Sequence, residues 1–163
     1  MAAAGRVLAV DLGTKRIGVA TSDITATVAS PLATVHRRGD RTAEHAEIAR
    51  LAAEEEAALV LVGLPRNMDG SHGPAARSAE EEAAALTAVV GVPVHLVDER
   101  LTTVSADRVL TSRGLRAPSR RRVVDQTAAA ILLQGWLDGA AGRSWRARSG
   151  VDGQGGGEGG SVA

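Results

Sequence analysis

The chain of 163 residues has no cysteine, phenylalanine or tyrosine, and Trp136 and Trp145 are its only aromatic residues besides histidine. The absence of cysteine excludes disulfides, thiol catalysis and cysteine-based metal sites. Its apolar residues are instead mainly alanine, valine and leucine. We therefore expect helices that pack closely through small side chains.

The chain also lacks a long apolar run. We expect neither a signal peptide nor a membrane span, and so a soluble, cytoplasmic protein. The length suits one domain with a core of ordinary size. We predict a flexible N-terminus at residues 1–5, a globular domain at 6–139 and a disordered tail at 140–163, which is rich in Gly, Ser and Arg.

Net charge is lacking as well, but the charges are unevenly distributed. Residues 1–99 carry 9 basic and 14 acidic side chains, whereas residues 100–163 carry 10 arginines and 5 acidic side chains. Such asymmetry can mark a surface that binds nucleic acid. The strong preference for arginine over lysine can equally reflect GC-rich coding, so both interpretations stay open.

The hydrophobic pattern predicts an α/β fold. Strands are predicted at residues 6–11, 16–22, 31–36, 59–64 and 93–97, and helices at 42–56, 75–90, 103–112 and 119–138. The first two strands are joined by a short turn and should form a hairpin. The later strands alternate with helices, which favours parallel pairing. We expect a mixed five-stranded sheet, antiparallel at its start and then parallel, with helices on both faces.

Three carboxylates stand out in this arrangement. Asp11 closes the first predicted strand, Glu99 follows the fifth, and Asp125 borders the apolar face of the last helix. Functional side chains of α/β folds gather beyond strand ends. If the last helix packs beside the first strand, the three carboxylates can converge. Three converging carboxylates repel one another and would become stable with one or two Mg²⁺ ions, which prefer oxygen ligands.

Simpler interpretations exist for each of the three. Asp11, which precedes Gly13, could be a turn residue. The charges of Asp98 to Arg100 could form a solvated strand end or an ion pair, and Asp125 could pair with Arg121 or Arg122 on an exposed helix face. Spacing alone does not decide between these possibilities.

Four segments carry a resemblance to a known family. The chain resembles the YqgF/RuvX family in RVLAVDLGTKRIGVATSD, LVLVGLPRNMDGSHGP, VPVHLVDERLTT and RRRVVDQTAAAILLQGWLD, which occur in that order between residues 6 and 138. The resemblance implies an RNase H-like fold. It also implies that Asp11, Glu99 and Asp125 are catalytic acids that bind Mg²⁺ or Mn²⁺, with two ions expected. Strand alternation agrees in choosing Glu99 over Asp98.

Basic and amide side chains near these acids are candidates for binding a nucleic acid. They are Lys15 and Arg16 in the hairpin turn, Arg66 and Asn67 in the loop after the fourth strand, Arg100, and Arg120, Arg121 and Arg122 at the start of the last helix. Such groups contact phosphate and sugar oxygens. A plain turn and a solvated basic helix start remain alternatives. Because aromatic residues are scarce, we expect recognition through backbone charge and shape rather than base stacking.

The family resemblance implies a metal-dependent endonuclease that hydrolyses phosphodiester bonds. The expected role is 5′-end maturation of pre-16S rRNA during ribosome biogenesis, with pre-rRNA or a pre-ribosomal particle as partner and no membrane. A Holliday junction resolvase-like DNA nuclease and a non-catalytic RNase H-like module that binds nucleic acid are the alternatives. The segment DLGTKR also resembles the phosphate-binding hairpin of actin-like ATPases, which need two such domains. Either a monomer or a homodimer is compatible with the sequence.

Overall fold

The computed structural model describes residues 5–65, 73–99 and 117–148, without the side chains of residues 117–127. The strands are β1 (Arg6–Leu12), β2 (Arg16–Ser22), β3 (Ala29–His36), β4 (Ala57–Leu64) and β5 (Val94–Asp98). The helices are α1 (Arg41–Glu54), α2 (Pro74–Val90), α3 (Ala117–Asp138) and α4 (Ala140–Arg148). The five predicted strands are confirmed. The helix predicted at 103–112 lies outside the described residues.

The five strands form one mixed sheet in the order β3-β2-β1-β4-β5. Strand β2 pairs antiparallel with both β1 and β3, because short connections join strands that run in opposite directions. Strand β4 pairs parallel with β1 and with β5, and α1 and α2 precede and follow it as the longer connections that parallel pairing requires. The predicted mixed sheet is therefore confirmed.

Helices cover both faces of the sheet, as predicted. Along β1, Val7 and Ala9 pack into a core beneath α3, whereas Leu8 and Val10 pack into a second core with residues of α1 and α2. This alternation follows from the period of two along a strand. Because both faces are covered, β4 contains the continuous apolar run Leu59–Val62 rather than alternating polar and apolar residues.

The parallel pairing brings the carboxyl ends of β1, β4 and β5 to one side of the sheet, which we call the carboxyl edge. Val10 lies beside Val62, and Leu64 lies beside Asp98. The residues that end these three strands are thus close in space although they are far apart in sequence.

One predicted boundary is wrong. Residues 140–148 form helix α4 instead of the start of a disordered tail. The helix is attached to the domain: Trp145 packs against the core beneath α3, and Arg146 Nη1 donates hydrogen bonds to the carbonyl oxygens of Ala26 (2.9 Å) and Leu137 (3.0 Å). The overall Gly, Ser and Arg content of the tail concealed these two anchoring residues. Within the described part of the chain, no helix is long and apolar enough to cross a membrane.

Candidate active site

Asp11 lies at the carboxyl edge on the face covered by α3. It pairs with Gly18 of β2 and follows Val7 and Ala9, which point into the core beneath α3. Because side chains alternate along a strand, Asp11 continues the row of Val7 and Ala9. Its position is half-buried, so its carboxylate is held close to the apolar core without being fully enclosed.

Glu99 reaches the same place from β5. It immediately follows that strand, two residues after Val97, which packs into the core beneath α3. A hydrogen bond joins the Glu99 and Asp11 side chains. Asp11 and Glu99 are thus the two predicted acids that the described residues bring together.

Gly63 of β4 makes room for this contact. A Cβ atom at Gly63 would lie 2.6 Å from Glu99 Oε1 and 3.2 Å from Leu132 Cδ2 of α3. The glycine therefore allows the Glu99 side chain to lie across β4 beneath α3. The sequence signal is a glycine that interrupts an apolar strand, which commonly marks a close approach. The approaching group is a side chain of the same chain.

The proximity of the two acids changes their protonation. Burial raises the pKa of Glu99 to about 7, and the charge and hydrogen bond of Asp11 and the charge of Asp98 add to the effect. A carboxyl with a raised pKa that contacts a second carboxyl is typical of sites that hold a proton or a cation between two acids. The arrangement can therefore bind a hard cation or keep one shared proton.

Asp125 lies in α3, which packs against β1 and β2. It precedes Leu132 by seven residues, about two helical turns, so both residues share one face of α3. Leu132 is the α3 residue beside Gly63 and Glu99. The backbone therefore places Asp125 on the helix face that carries the Glu99 contact, about 10 Å along the axis from Leu132. The side chain of Asp125 is outside the described part of the structure.

The structure describes only some of the residues predicted to contact nucleic acid. Lys15 and Arg16 are exposed beside Asp11, at the turn between β1 and β2. Arg66, Asn67 and Arg100 lie outside the described residues. Arg120, Arg121 and Arg122 are in the first turns of α3, and their side chains are not described. The structure thus places two exposed cations at the turn that follows Asp11.

Sequence analysis missed the residue that holds this turn, Arg37. Its Nε donates a hydrogen bond to the Gly13 carbonyl oxygen (2.7 Å), and its backbone N–H donates to the Lys15 carbonyl oxygen (3.0 Å). Its guanidinium also pairs with Glu44 (3.1 Å) and Glu82 (2.8 Å). No motif marks this network, because its members come from the segment after β3 and from α1 and α2, and they meet only in the folded chain.

Glu82 is the centre of the network. It is 2% exposed, and it pairs with Arg37, with Arg41 (3.5 Å) and with His45 (2.9 Å). Burial acts to raise the pKa of Glu82, but hydrogen bonds from Arg37 and His45 and the charges of Arg37 and Arg41 hold it below its ordinary value. The network is thus a set of buried charges that the chain satisfies itself.

The donor atoms at the carboxyl edge suit a divalent cation. Asp11 and Glu99 supply carboxylate oxygens, the ligands that Mg²⁺ prefers. Among the residues that the structure describes, no group of three or more potential metal ligands occurs. Two acids would hold Mg²⁺ with several waters, in the manner usual for this ion, and further oxygens would have to come from residues such as Asp125 or from a substrate.

Comparisons with known proteins identify the family of this chain. A family model described as "RuvX: Holliday junction resolvase" matches residues 5–139. A relative from Mycobacterium tuberculosis named "Putative pre-16S rRNA nuclease" is 52% identical over 136 residues, which cover 82% of this chain and 79% of the relative. A protein of the same name from Anaeromyxobacter dehalogenans is 48% identical over 133 residues, covering 82% of this chain and 96% of that protein.

Structural similarity supports the fold assignment. The structure of RuvC from Thermus thermophilus gives a TM-score of 0.54 at 16% sequence identity, and the match covers 81% of this chain and 95% of that one. This likeness, together with the strand order, shows the RNase H-like fold that the sequence predicted. Because the family model spans nearly the whole of the described domain, the chain belongs to the RuvX family.

Proposed function

We propose that this chain is a metal-dependent endonuclease that hydrolyses phosphodiester bonds. The observation that carries the proposal is the contact of Asp11 with Glu99 at the carboxyl edge, in a chain of the RuvX family. The names of the relatives and the family description support a hydrolase that acts on nucleic acid. The family resemblance adds Asp125 as the third acid.

The proposed cofactor is Mg²⁺ or Mn²⁺, with two ions held by Asp11, Glu99 and Asp125. When bound, such ions lower the pKa of a water and stabilise the charge of the leaving oxygen. The chain itself supplies the ligands and controls their proton. Because the pKa of Glu99 is about 7, this carboxyl is partly protonated at neutral pH, and it must release its proton to become a full ligand.

The substrate that we favour is a precursor of 16S rRNA, cleaved at its 5′ end in the cytoplasm. The support is the name of the curated relatives, 52% and 48% identical to this chain. Exposed Lys15 and Arg16 beside Asp11 provide cations for the phosphate backbone. Arg66, Asn67, Arg100 and Arg120–Arg122 complete the proposed contact set. A DNA four-way junction is the second candidate, and the description of the matching family model favours it.

A cleavage assay tests the proposed chemistry. A 5′-extended rRNA precursor and a DNA four-way junction are incubated with the wild-type chain and Asp11→Asn, with Mg²⁺, Mn²⁺ or a chelator. We expect cleavage only with metal and a loss of about a thousandfold or more in Asp11→Asn, because one ligand charge is removed. Asp138→Asn is the matched control, since Asp138 is an exposed acid at the end of α3.

Full activity of Asp11→Asn would show that the assigned acids are wrong. Binding of the rRNA precursor without cleavage under any metal condition would instead support a non-catalytic module. The cleaved substrate decides between RNA and DNA. Solution mass adds a second criterion, because symmetric cleavage of a junction requires two active sites and hence a dimer, whereas one cut in RNA requires only a monomer.

A further inference from the structure

A cavity of about 910 Å³ opens beside the turn between β1 and β2. The described residues that line it include Lys15 of the turn, Arg37 after β3, Arg41 at the start of α1, and Ser78 and Glu82 of α2. Its volume is at the upper end of the range for ligand pockets. No aromatic residue occurs among the described residues of its lining, so a ligand there would be bound through polar and charged groups.

The charges of the cavity are arranged by depth. Glu44 and Glu82 are buried, at 5% and 2% exposed, and both pair with Arg37. Arg41 also pairs with Glu82, but its side chain is 56% exposed. Lys15 is exposed and forms no ion pair with any residue that the structure describes. The two buried acids are thus neutralised in the floor of the cavity, while Lys15 and Arg41 remain accessible to an anionic ligand.

The cavity and the acid pair lie on opposite faces of the sheet at the same edge. Asp11 is on the face of α3, whereas Leu12 contacts the α1 and α2 side and lines the cavity. Gly13 to Lys15 connect the two places and form part of the cavity wall. The four Cα–Cα steps from Asp11 to Lys15 span at most about 15 Å. A nucleic-acid strand that crosses the β1–β2 turn could therefore contact both the acid pair and the cavity.

We propose that this cavity binds phosphate groups of the nucleic-acid strand that flanks the cleaved bond, with Lys15 and Arg41 as the contacting cations. The inference rests on the proposed nuclease function. A stacked strand advances about 3.4 Å per nucleotide, so the cavity lies within about five nucleotides of the acid pair. Arg37 holds the floor of the cavity and the β1–β2 turn in place. Arg41 is a further binding residue beside the predicted Lys15 and Arg16 of the turn.

Binding measurements on the full chain test the proposal independently of cleavage. Fluorescence anisotropy is measured for single-stranded oligonucleotides and for the rRNA precursor with 5′ or 3′ flanks of two to ten nucleotides. The variants are Lys15→Ala, Arg41→Ala and the double variant. Arg50→Ala is the matched control, because Arg50 is a half-exposed arginine of α1 that pairs with Glu47 and Glu54 and does not line the cavity.

We expect the double variant to weaken binding on the order of tenfold for long flanks and to have little effect on flanks too short to reach the cavity. The slope of log affinity against log salt should fall by about 0.7 for each cation that no longer neutralises a phosphate of a single strand. Arg50→Ala should change neither quantity. Binding of the Arg41→Lys variant near the wild-type level would confirm a charge contact rather than a structural role.

Equal weakening at all flank lengths, or none, would overturn the proposal. Amide NMR shifts of Gly13, Thr14 and Gly39 distinguish the source of the phosphate. Shifts with oligonucleotides support the strand assignment, whereas shifts with a nucleoside triphosphate alone would assign the cavity to a free nucleotide and contradict it. If flank-dependent binding is present but no cleavage occurs with any metal, the cavity assignment stands and the nuclease proposal fails.

Discussion

Two pairs of acids at the carboxyl edge have opposite environments. On the α1 and α2 face, Glu44 and Glu82 pair with Arg37, and Arg41 and His45 also contact Glu82. On the α3 face, a side chain that hydrogen-bonds Glu99 is another acid, Asp11. The pKa of Glu82 is accordingly lowered, whereas burial and the neighbouring acids raise that of Glu99 to about 7.

The comparison separates a structural acid from a functional candidate. Burial costs both residues hydration, but for Glu82 the chain supplies the compensating cations itself. For Glu99 the neighbouring charges of Asp11 and Asp98 increase the cost of ionisation. A site in which ionisation of a carboxyl is this unfavourable in the folded chain is a candidate for binding a cation from solution. Both the Glu82 network and the Asp11–Glu99 pair adjoin the β1–β2 turn, so the network can hold the acid pair in place.

Glu82→Gln gives the largest expected effect on stability. Removing the central charge leaves Arg37, Arg41 and His45 with fewer acceptors, so we expect a loss of about 3 kcal/mol in the free energy of unfolding at pH 7. Because the pKa of Glu82 is lowered, its stabilisation is present above the ordinary value of 4.5 and is lost as the pH falls below it. Urea unfolding at pH 7 measures the change.

The neighbouring variant Glu81→Gln provides the control. Glu81 is exposed on the same helix, and its replacement should change the free energy of unfolding by less than about 0.5 kcal/mol. If both variants had the same small effect, the ion network would contribute little to the free energy of unfolding. The interpretation of Glu82 as a structural acid would then be wrong.

Gly63→Ala tests the functional acids. The added Cβ would lie 2.6 Å from Glu99 Oε1, which forces the carboxylate to move away from its present position. Misplacement of a catalytic group by about 1 Å can lower the rate about a hundredfold, and we expect a loss of metal-dependent cleavage of about ten- to a hundredfold. Rates of cleavage with saturating Mg²⁺, together with the free energy of unfolding, separate misplacement from unfolding.

Leu61→Val is the control for this substitution. Leu61 is buried two residues earlier on the same face of β4, so its truncation perturbs the core without adding an atom near Glu99. We expect it to cost about 1 kcal/mol of stability and to retain cleavage. Equal losses of activity in Gly63→Ala and Leu61→Val would mean that core packing, and not the position of Glu99, controls the rate.

Sequence patterns predicted those features of the carboxyl edge that follow from strand periodicity. Alternation favoured Glu99 over Asp98, and the family resemblance implied Asp11, Glu99 and Asp125 as the acids of one site. The patterns could not predict the network of Arg37, because its contacts join residues up to 45 positions apart and follow from packing. They also missed α4, since composition averaged over a long tail conceals single anchors such as Trp145.

The smallest expected effect is a difference in pH dependence. Since the pKa of Glu99 is raised from 4.5 to about 7, the folded chain binds more protons than the unfolded chain between these values. The stability of the metal-free protein should therefore fall as the pH rises from 4.5 to 7, opposite in sign to the contribution of Glu82. Glu99→Gln cannot ionise, so its stability relative to wild type should increase over this range.

Thermal unfolding with a chelator at pH 5 and 8 measures this difference, with the exposed Glu54→Gln as control. Parallel pH profiles of wild type and Glu99→Gln would show that the pKa of Glu99 is not raised in the folded chain. Added Mg²⁺ should then raise the melting temperature of wild type more than that of Glu99→Gln, because an ion that binds the folded state stabilises it.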